Sequence, residues 1–550
     1  MGDGYAWLIF VICMIVIMFV LTVINRKRNT EELKQRLAEN YGKPFNGEYG
    51  SEHLLRLHEM LEDEEYDISD EIWKDLLMDD VFGMLDQSVS AVGEEYLYLT
   101  LHRYAAPEVL ADRRACANEW KKYDKRLDVM MALSAMGKQK RYTFHGFIKR
   151  LFGAKEGNNA FHIASLLAFI ASVVLVFVNA DVGIPLLLVI ACVNSLTYFS
   201  AKSKIAPYID TLSAAIKWLR VSSGLKKTGM EHIDARIDEI REKAAVFNRM
   251  KKGAWLFAPQ SAVGSIIDTV FDYLKFITHI DIIEFNILIA FLKKYRDDLK
   301  SLYNLTGEFE LGIVISGIRE FETLQCIPEL KKSDELFIEA KDSIHPLVSC
   351  PVANDICMKN NWLITGSNAS GKSTFLKMVC LNMLLSQSID TAFAGEFKAS
   401  FMEIGTSFDI SDDILKGDSY YISEIKRLKG ILEASEDGCG MLVGIDEILK
   451  GTNTKERVAA SCEVLRYLAG KKVLVIAATH DTELVDMLEG VYEDYYFTEN
   501  PDSEENLFDY KLRKGRNYTG NAIKLLKLYG FPEEIITGSL SHLNAGDDII

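Results

Sequence analysis

The most informative pattern in the 550-residue sequence is the segment Trp362-Leu-Ile-Thr-Gly-Ser-Asn-Ala-Ser-Gly-Lys-Ser373. Its first four residues are typical of a buried strand, its glycine-rich part has the spacing Gly-x-x-x-x-Gly-Lys-Ser, and an amphipathic pattern continues to about Leu385. Strand, loop and helix in this order are typical of a P-loop, in which backbone N–H groups and a helix N-terminus hold the phosphates of a nucleotide. The sequence therefore predicts ATP binding at this loop.

The loop also predicts roles for individual residues. The Lys372 ammonium is expected to contact the β and γ phosphates, and the Ser373 hydroxyl is expected to bind Mg²⁺. ATP and Mg²⁺ are thus the predicted cofactors. The residues predicted to contact the nucleotide from this loop are Gly366, Ser367, Asn368, Ala369, Ser370, Gly371, Lys372, Ser373 and Thr374.

Two further apolar segments end in side chains suited to phosphate chemistry. Residues 441–445 are followed by Asp446, which can hold the magnesium, and by Glu447, which can polarise the attacking water. Residues 473–476 lead to His480, which can orient water or sense the nucleotide. A lone histidine is more often structural, but this one follows two other strands with phosphate-site residues. Strands that alternate with helices predict an α/β sheet with its ligand at the carboxyl ends of the strands.

Composition restricts the classes of partner and of site. The net charge is −17, whereas proteins that bind duplex DNA usually present a basic face. The nine cysteines include no Cys-x-x-Cys pair, which argues against a disulfide framework and against a structural zinc site. Reduced thiols and an acidic surface are therefore expected, and a local basic patch stays open.

Two apolar regions predict three membrane-spanning helices. Residues 6–24 are uncharged and are followed at once by Arg26, Lys27 and Arg28, which favours a retained anchor with its short N-terminus outside. Residues 161–201 divide at 179–183 into halves that are each about long enough for one span. Basic flanks on both sides predict a helical hairpin with an external turn. A buried globular hairpin is the alternative, although no Asp, Glu, Lys or Arg interrupts either half.

Several segments, in their order along the chain, are similar to those of MutS-type ATPases. These segments are His345-Pro-Leu-Val348, Ala353-Asn-Asp355, the P-loop run Gly366–Thr374, the signature-like run Asp412–Tyr421, Asp446-Glu-Ile-Leu-Lys-Gly-Thr-Asn-Thr454, Ala478-Thr-His-Asp-Thr-Glu-Leu484 and Asn521–Glu534. The resemblance is strong over residues 336–550. It is weaker over 79–335, where residues 78–96 and 307–310 look like the start and the end of the family's helical core and lever domain.

The resemblance implies an α/β ABC-type P-loop ATPase domain and an all-α core and lever domain. A transmembrane hairpin interrupts the helical domain, and a transmembrane anchor precedes it. The expected division is an anchor at 1–30, an acidic cytosolic segment at 31–78, helical parts at 79–158 and 202–335, the hairpin at 159–201, and the ATPase domain with C-terminal dimerisation helices at 336–550. The chain would be a multi-pass protein of the cell membrane with a cytoplasmic ATPase domain.

The resemblance also implies a homodimer with composite nucleotide sites. One subunit supplies the P-loop, Asp446 and Glu447, and the other supplies the hydroxyl of Ser419. ATP then joins the two ATPase domains, and hydrolysis releases them. The predicted catalytic residues are Lys372, Glu447 and His480, and the predicted magnesium ligands are Ser373, Asp446 and Gln387.

Two departures from the family pattern limit what the resemblance implies. Residues 1–78 leave no room for the family's mismatch-recognition and connector domains, so a member without mismatch recognition is expected. Pro351 stands where the family often stacks an aromatic ring on adenine, which leaves the preference for the base open.

Three functional hypotheses follow. The first is a membrane-anchored MutS-like ATPase that uses dimer engagement to clamp an unknown partner. The second is a membrane-tethered ATPase that binds DNA, for which Lys138, Lys140, Arg141 and Lys149 form a candidate basic stretch. The third, an ABC-type transporter subunit, is disfavoured because the spans have no polar lining and an LSGGQ-type signature is missing.

Overall fold

A computed structural model of the chain divides into two compact units. The first comprises residues 1–65, 86–99 and 114–320, and the second comprises residues 66–85, 100–113 and 321–550. The residues that the structure describes are 2–45, 50–62, 64–138, 143–253, 256–257, 266–367, 370–408, 420–450, 453–498, 508–516, 526 and 530–546.

Up to residue 320 the described elements are helices. They are α1 (Gly2–Asn40), α2 (Ser51–Leu61), α3 (Asp70–Asp75), α4 (Met78–Leu85), α5 (Ala91–Leu101), α6 (Pro107–Lys122), α7 (Arg126–Ser134), α8 (Phe144–Gly153), α9 (Ala160–Val178), α10 (Ala180–Gly224), α11 (Glu231–Val246), α12 (Asn248–Gly253), α13 (Ile266–Thr278), α14 (Ile280–Lys294) and α15 (Arg296–Ile318).

After residue 320 strands and helices alternate. They are β1 (Glu329–Lys331), β2 (Ile338–Ser343), β3 (Asn354–Met358), β4 (Trp362–Thr365), α16 (Lys372–Ile389), β5 (Glu396–Ser400), β6 (Glu403–Ser407), α17 (Tyr420–Ala434), β7 (Met441–Asp446), α18 (Thr454–Ala469), β8 (Val473–Ala478), α19 (Thr482–Met487), β9 (Glu493–Tyr496), β10 (Arg513–Lys514) and α20 (Glu533–Gly546). The expected combination of an α/β part and a helical part is thereby confirmed.

The strands of the second unit form two sheets among the described residues. The smaller sheet has the order β1-β5-β2-β3, and the larger has the order β10-β9-β4-β8-β7-β6. From β9 to β6 all neighbours are parallel, and β10 is antiparallel to β9. Strands β4, β7 and β8 are buried along their whole length, as expected for parallel strands covered on both faces. Their carboxyl ends lie at one edge of the sheet.

The apolar region at 161–201 forms two helices, α9 and the first part of α10, which are separated by the single residue Asn179. The Asn179 side chain accepts a hydrogen bond from Val182 N (3.4 Å) at the start of α10, and Gly183 lies against the backbone of Val176. Among the described residues, α9 and α10 are the helices long and apolar enough to cross a membrane. Only 6% of the most apolar stretch of α9 and 17% of that of α10 are buried within the protein, which argues against a buried globular hairpin.

Helix α10 continues well beyond the hairpin. Its 45 residues span roughly 68 Å, and its second half buries residues such as Leu212, Trp218 and Leu219 in the helical unit. The expected anchor at 6–24 lies within α1, which runs on to Asn40. The side chains of residues 2–12 lie outside the described part of the structure.

The second unit contains two segments that precede residue 320. Residues 66–85 and 100–113 pack with the α/β part, whereas the sequence places the start of that part at residue 336. The Tyr104 hydroxyl accepts a hydrogen bond from Ile404 N (2.9 Å), and Arg113 donates to the Ser388 carbonyl. These contacts join segments about 300 residues apart, so local sequence patterns do not reveal them.

Helices α5 and α15 pack closely because each has a glycine at the contact. A Cβ atom on Gly93 would lie 2.2 Å from Cδ of Glu310, and one on Gly307 would lie 2.3 Å from Cγ of Tyr96. The Glu310 carboxylate accepts from Ser90 N (2.9 Å) at the start of α5, and burial raises its pKa to about 7. The segments that look like the start and the end of the family's helical domain therefore contact each other directly.

We expect Gly93→Ala to destabilise the helical unit by about 1–3 kcal/mol, because the added methyl group overpacks the contact with Glu310. The matched control is Gly224→Ala at the end of α10, where no atom lies within 4 Å of the new Cβ. There the better helix propensity of alanine should leave the free energy of unfolding unchanged or raise it by up to about 1 kcal/mol. Denaturant unfolding of the two variants measures the difference, and equal stabilities would contradict the packing argument.

Candidate nucleotide-binding site

The loop between β4 and α16 has a backbone that only glycine tolerates at two positions. Gly366 has φ = 148° and Gly371 has φ = 101°. A Cβ atom would lie 2.9 Å from Phe497 O at the first position and 3.0 Å from the Tyr510 ring at the second. The loop can therefore bring backbone N–H groups close to a bound anion. Asn368 and Ala369, which were predicted to contact the nucleotide, lie outside the described residues.

Lys372 lies at the first position of α16 with its side chain turned back into the loop. Its Nζ donates to the carbonyls of Gly366 (2.6 Å) and Ser367 (2.9 Å), and the residue is only 4% exposed. Burial lowers its pKa, while the carboxylates of Glu447 and Asp446 act in the opposite direction. A buried cation inside a glycine loop is well placed to bind phosphate oxygens.

The three hydroxyl residues of the loop differ in burial. Ser373 and Thr374 lie in the first turn of α16 and are exposed to the cavity that they line. Ser370 is 1% exposed, and its Oγ has no hydrogen-bond partner among the described residues. Such a buried orphan hydroxyl and a loop that a Cβ atom would fill both fit a ligand that is rich in hydrogen-bond acceptors.

Two carboxylates follow the end of β7. Asp446 is 8% exposed and lines the same cavity as Ser373. Glu447 adopts a left-handed backbone, with φ = 58°. Its Oε2 is 3.1 Å from Lys450 Nζ, and its Oε1 is 3.4 Å from His480 Nδ1.

The surroundings of Glu447 favour its ionised form. Burial alone would raise its pKa, but the ion pair with Lys450 and the nearby His480 and Lys372 together hold that pKa below its ordinary value. A carboxylate that is ionised at neutral pH can accept a proton from water. The predicted role of Glu447 is therefore chemically consistent with its position.

His480 contacts the site indirectly, by its side-chain contact with Glu447. It follows β8, which lies between β4 and β7, and its side chain is 48% exposed. It does not line the cavity itself. Its Nε2 is 3.8 Å from Asp481 Oδ1, and Asp481 is paired with Arg457 (2.7 Å).

A cavity of about 670 Å³ joins these groups. That volume is typical of sites for molecules of nucleotide size. Its wall includes Ser367, Gly371, Lys372, Ser373, Thr374, Asp446 and Glu447 from the predicted site, and His345, Val348 and Asn354 from the two segments that resemble the family's lead-in. Burial lowers the pKa of His345 to about 4, so this side chain is neutral at physiological pH.

The prediction of Gln387 as a magnesium ligand is wrong. Gln387 lies fifteen positions after Lys372 on the same helix, at a distance of about 22 Å along the axis. Its amide is buried and bonded on both sides to Met402, donating to the carbonyl (2.7 Å) and accepting from the N–H (2.9 Å). Ser419, predicted to come from a second subunit, lies outside the described residues.

Tyr510 and Lys450 line the cavity, although sequence patterns did not single them out. Lys450 is part of the run Asp446–Thr454, but its pairing with Glu447 depends on the turn of the backbone. Tyr510 lies in an irregular segment with φ = 53°, and its carbonyl accepts from Asn354 Nδ2 (3.0 Å). No motif marks this tyrosine. Its half-exposed ring beside Gly371 is available to stack on a nucleotide base.

We expect Tyr510→Ala to raise the Kd for ATP by roughly 10- to 100-fold, because stacking of one base on an aromatic ring contributes about 1–3 kcal/mol. Tyr510→Phe keeps the ring and should bind ATP like the wild type. Titration with a fluorescent ATP analogue measures both constants. Equal affinities of the Ala and Phe variants would show that the base does not stack on this ring.

Comparison with known proteins relates the part of the chain that carries this cavity to MutS proteins. Residues 362–545 match the family model described as MutS domain V. The DNA mismatch repair protein MSH3 of Scheffersomyces stipitis is 31% identical over 231 residues, which cover 38% of this chain and 22% of the relative. The DNA mismatch repair protein MutS of Chlamydia abortus is 30% identical over 232 residues, which cover 38% and 27%.

A third relative, MutS protein homolog 4 of Homo sapiens, is 28% identical over 269 residues, which cover 46% of this chain and 28% of the relative. The chain thus spans less than a third of the length of each of these relatives. The region matched by the family model contains β4, β7, β8 and the cavity-lining residues from Ser367 to Tyr510, whereas the lining residues from His345 to Asn354 precede it. Over residues 362–545 the chain is therefore related to the MutS proteins and is similar to their domain V.

Proposed function

We propose that this chain is an ATP hydrolase that binds Mg·ATP in the cavity at the carboxyl ends of β4, β7 and β8. The observation that carries the proposal is that Lys372, Ser373, Asp446 and Glu447 meet around one cavity. Lys372 and Ser373 come from the start of α16, and Asp446 and Glu447 come from the end of β7 and the residue after it. Each supplies a group that phosphoryl transfer to water requires. The relation to MutS domain V supports the same conclusion.

Each residue has a separate task in this mechanism. Lys372 exchanges its two backbone carbonyl acceptors for phosphate oxygens and balances their charge. Ser373 and Asp446 would hold the magnesium ion, which would supply Lewis-acid stabilisation of the phosphate charge. Glu447 accepts a proton from the attacking water, and His480 orients Glu447 from its other side. Tyr510 holds the base.

We further propose that the chain acts as a homodimer in which Ser419 of each subunit contacts the nucleotide of the other. The resemblance of Asp412–Tyr421 to the signature segment of MutS-type ATPases supports this arrangement. ATP binding would then join the ATPase units, and hydrolysis would release them. A switch of this kind needs only a few kcal/mol of difference in nucleotide affinity between the two states.

Glu447→Gln should trap the dimer in the presence of ATP, because the variant keeps the size of the side chain but loses the base. We expect turnover to fall by about 10²- to 10⁴-fold. Light scattering during size exclusion with Mg·ATP measures the mass. The control is Glu433→Gln, a surface residue of α17 whose carboxylate pairs with Lys429. A variant that binds ATP but stays monomeric would contradict the composite site.

We propose in addition that the hairpin α9–α10 crosses a membrane. Helix α9 has 19 residues and measures about 28 Å, close to the thickness of about 30 Å of a bilayer core. Aromatic rings gather where the hairpin meets the helical unit, with Tyr198 and Phe199 of α10 against Phe276 of α13, and Lys202 follows. Aromatic residues and lysines at one level are typical of a membrane–water interface.

This arrangement would couple ATP hydrolysis to the membrane. Helix α10 continues without interruption from the hairpin into the helical unit, where its second half is buried. Movement of the helical unit during dimer engagement would therefore reach the hairpin. The partner on which this movement acts lies at or beside the membrane in this proposal.

We expect a cysteine at Asp181, in a variant without the nine native cysteines, to react with a membrane-impermeant maleimide in intact cells. The reason is that the short turn between α9 and α10 would lie on the outer side. Lys155→Cys in the same background is the control and should react only after permeabilisation. Equal protection of both positions in intact cells would contradict the proposed topology.

The second candidate function is that of a membrane-tethered ATPase that acts on DNA. The names of the relatives, which are DNA mismatch repair proteins, favour it. In the candidate basic stretch, however, Lys138 is paired with Asp86 and Glu94 (3.2 Å), and residues 139–142 lie outside the described part of the chain. Tight duplex binding with a steep loss as salt rises would favour this candidate over a protein or lipid partner.

A further inference from the structure

The loop after β7 has a backbone that needs support from its surroundings. Glu447 has φ = 58° and Leu449 has φ = 57°, a left-handed conformation that residues other than glycine rarely adopt. Two such residues within three positions persist only where neighbouring groups hold them. Since Glu447 polarises the attacking water in the proposed mechanism, whatever holds this loop also aims that carboxylate.

One buried side chain of α17 holds the loop. Glu424 is only 2% exposed, and its carboxylate accepts hydrogen bonds from the backbone N–H groups of Leu449 and Lys450. Consecutive N–H groups around a left-handed residue form a small concave site for an anion. Burial raises the pKa of Glu424, and the two N–H donors act against this effect. The carboxylate therefore stabilises the turn that places Glu447.

Helix α17 is itself fixed to the rest of the second unit. Three residues after Glu424, the Arg427 guanidinium contacts both oxygens of Asp75 (3.0 and 2.9 Å). Asp75 is 2% exposed and also accepts from Thr406 Oγ1 (2.7 Å) of β6. Leu428 packs in the same apolar cluster as Leu449. The ion pair with Asp75 and the packing of Leu428 thus fix the helix that carries Glu424.

We infer that Glu424 is a positioning residue for Glu447 and that it couples α17 to hydrolysis. This inference rests on the proposed function. Helix α17 begins at Tyr420, directly after Ser419, the residue proposed to contact the nucleotide of the other subunit. Glu424 therefore connects this helix to the loop that aims the water-polarising carboxylate of the same subunit.

The test uses Glu424→Gln and Glu424→Ala in the full-length protein, with Glu433→Gln on the same helix as the control. We expect kcat for ATP to fall on the order of 10²-fold in the Ala variant, because the loop no longer aims Glu447. The Gln variant keeps one acceptor oxygen and should show a smaller loss. The Kd for ATP should not change, because Lys372 and Tyr510 lie on other elements.

A second measurement separates positioning from a general loss of structure. In the Glu447→Gln background, Glu424→Gln should cause no further fall in kcat, because both changes act on the same group. Three results would overturn the inference. The first is a wild-type kcat in both Glu424 variants, and the second is a loss of ATP affinity that parallels the loss of kcat. The third is a fall in kcat from Glu424→Gln that multiplies with the fall from Glu447→Gln. If the Ala variant does not fold, the Gln variant decides. Absence of ATP turnover in the wild type would instead refute the proposed function.

Discussion

The carboxyl ends of the parallel strands β4, β8 and β7 lie at one edge of the larger sheet, and the candidate site depends on this constraint. The register pairs Ile364 with Ala478 and Ala478 with Asp446, so the three strands end at the same level. The glycine loop, the carboxylates and His480 therefore meet although more than 100 residues separate Gly366 from His480. All three strands are buried along their whole length, as expected for parallel strands covered on both faces.

Around this edge, charge and backbone conformation act together. A left-handed turn of the backbone places Glu447. The ion pair with Lys450 favours its ionised form, and His480 contacts its other oxygen. Lys372 is held inside the loop by carbonyl oxygens. The groups that would contact phosphate and water are thus already oriented by the protein, and such preorganisation is the main source of catalysis in phosphoryl transfer.

The sequence predicts features that depend on local patterns and misses features that depend on distant contacts. The loop at 366–373 and the hairpin turn near Asn179 follow from glycine spacing and from apolar runs. The attachment of residues 66–85 to the α/β part depends on Asp75 and Arg427, which are 352 positions apart, and no periodicity reveals it. Gln387, predicted as a magnesium ligand, lies about 22 Å along α16 from Lys372, and its amide is bonded to Met402. The position of the Tyr510 ring depends on a left-handed backbone at this residue, whose carbonyl accepts a hydrogen bond from Asn354.

The central claim is that this cavity binds Mg·ATP, and calorimetric titration of the purified full-length chain with ATP, with and without Mg²⁺, tests it most directly. We expect one ATP per chain and tighter binding with Mg²⁺, because Ser373 and Asp446 would hold the metal ion that balances the phosphate charge. Absence of binding up to millimolar ATP in a folded protein would contradict it. Equal affinity with and without Mg²⁺ would contradict the assigned magnesium ligands.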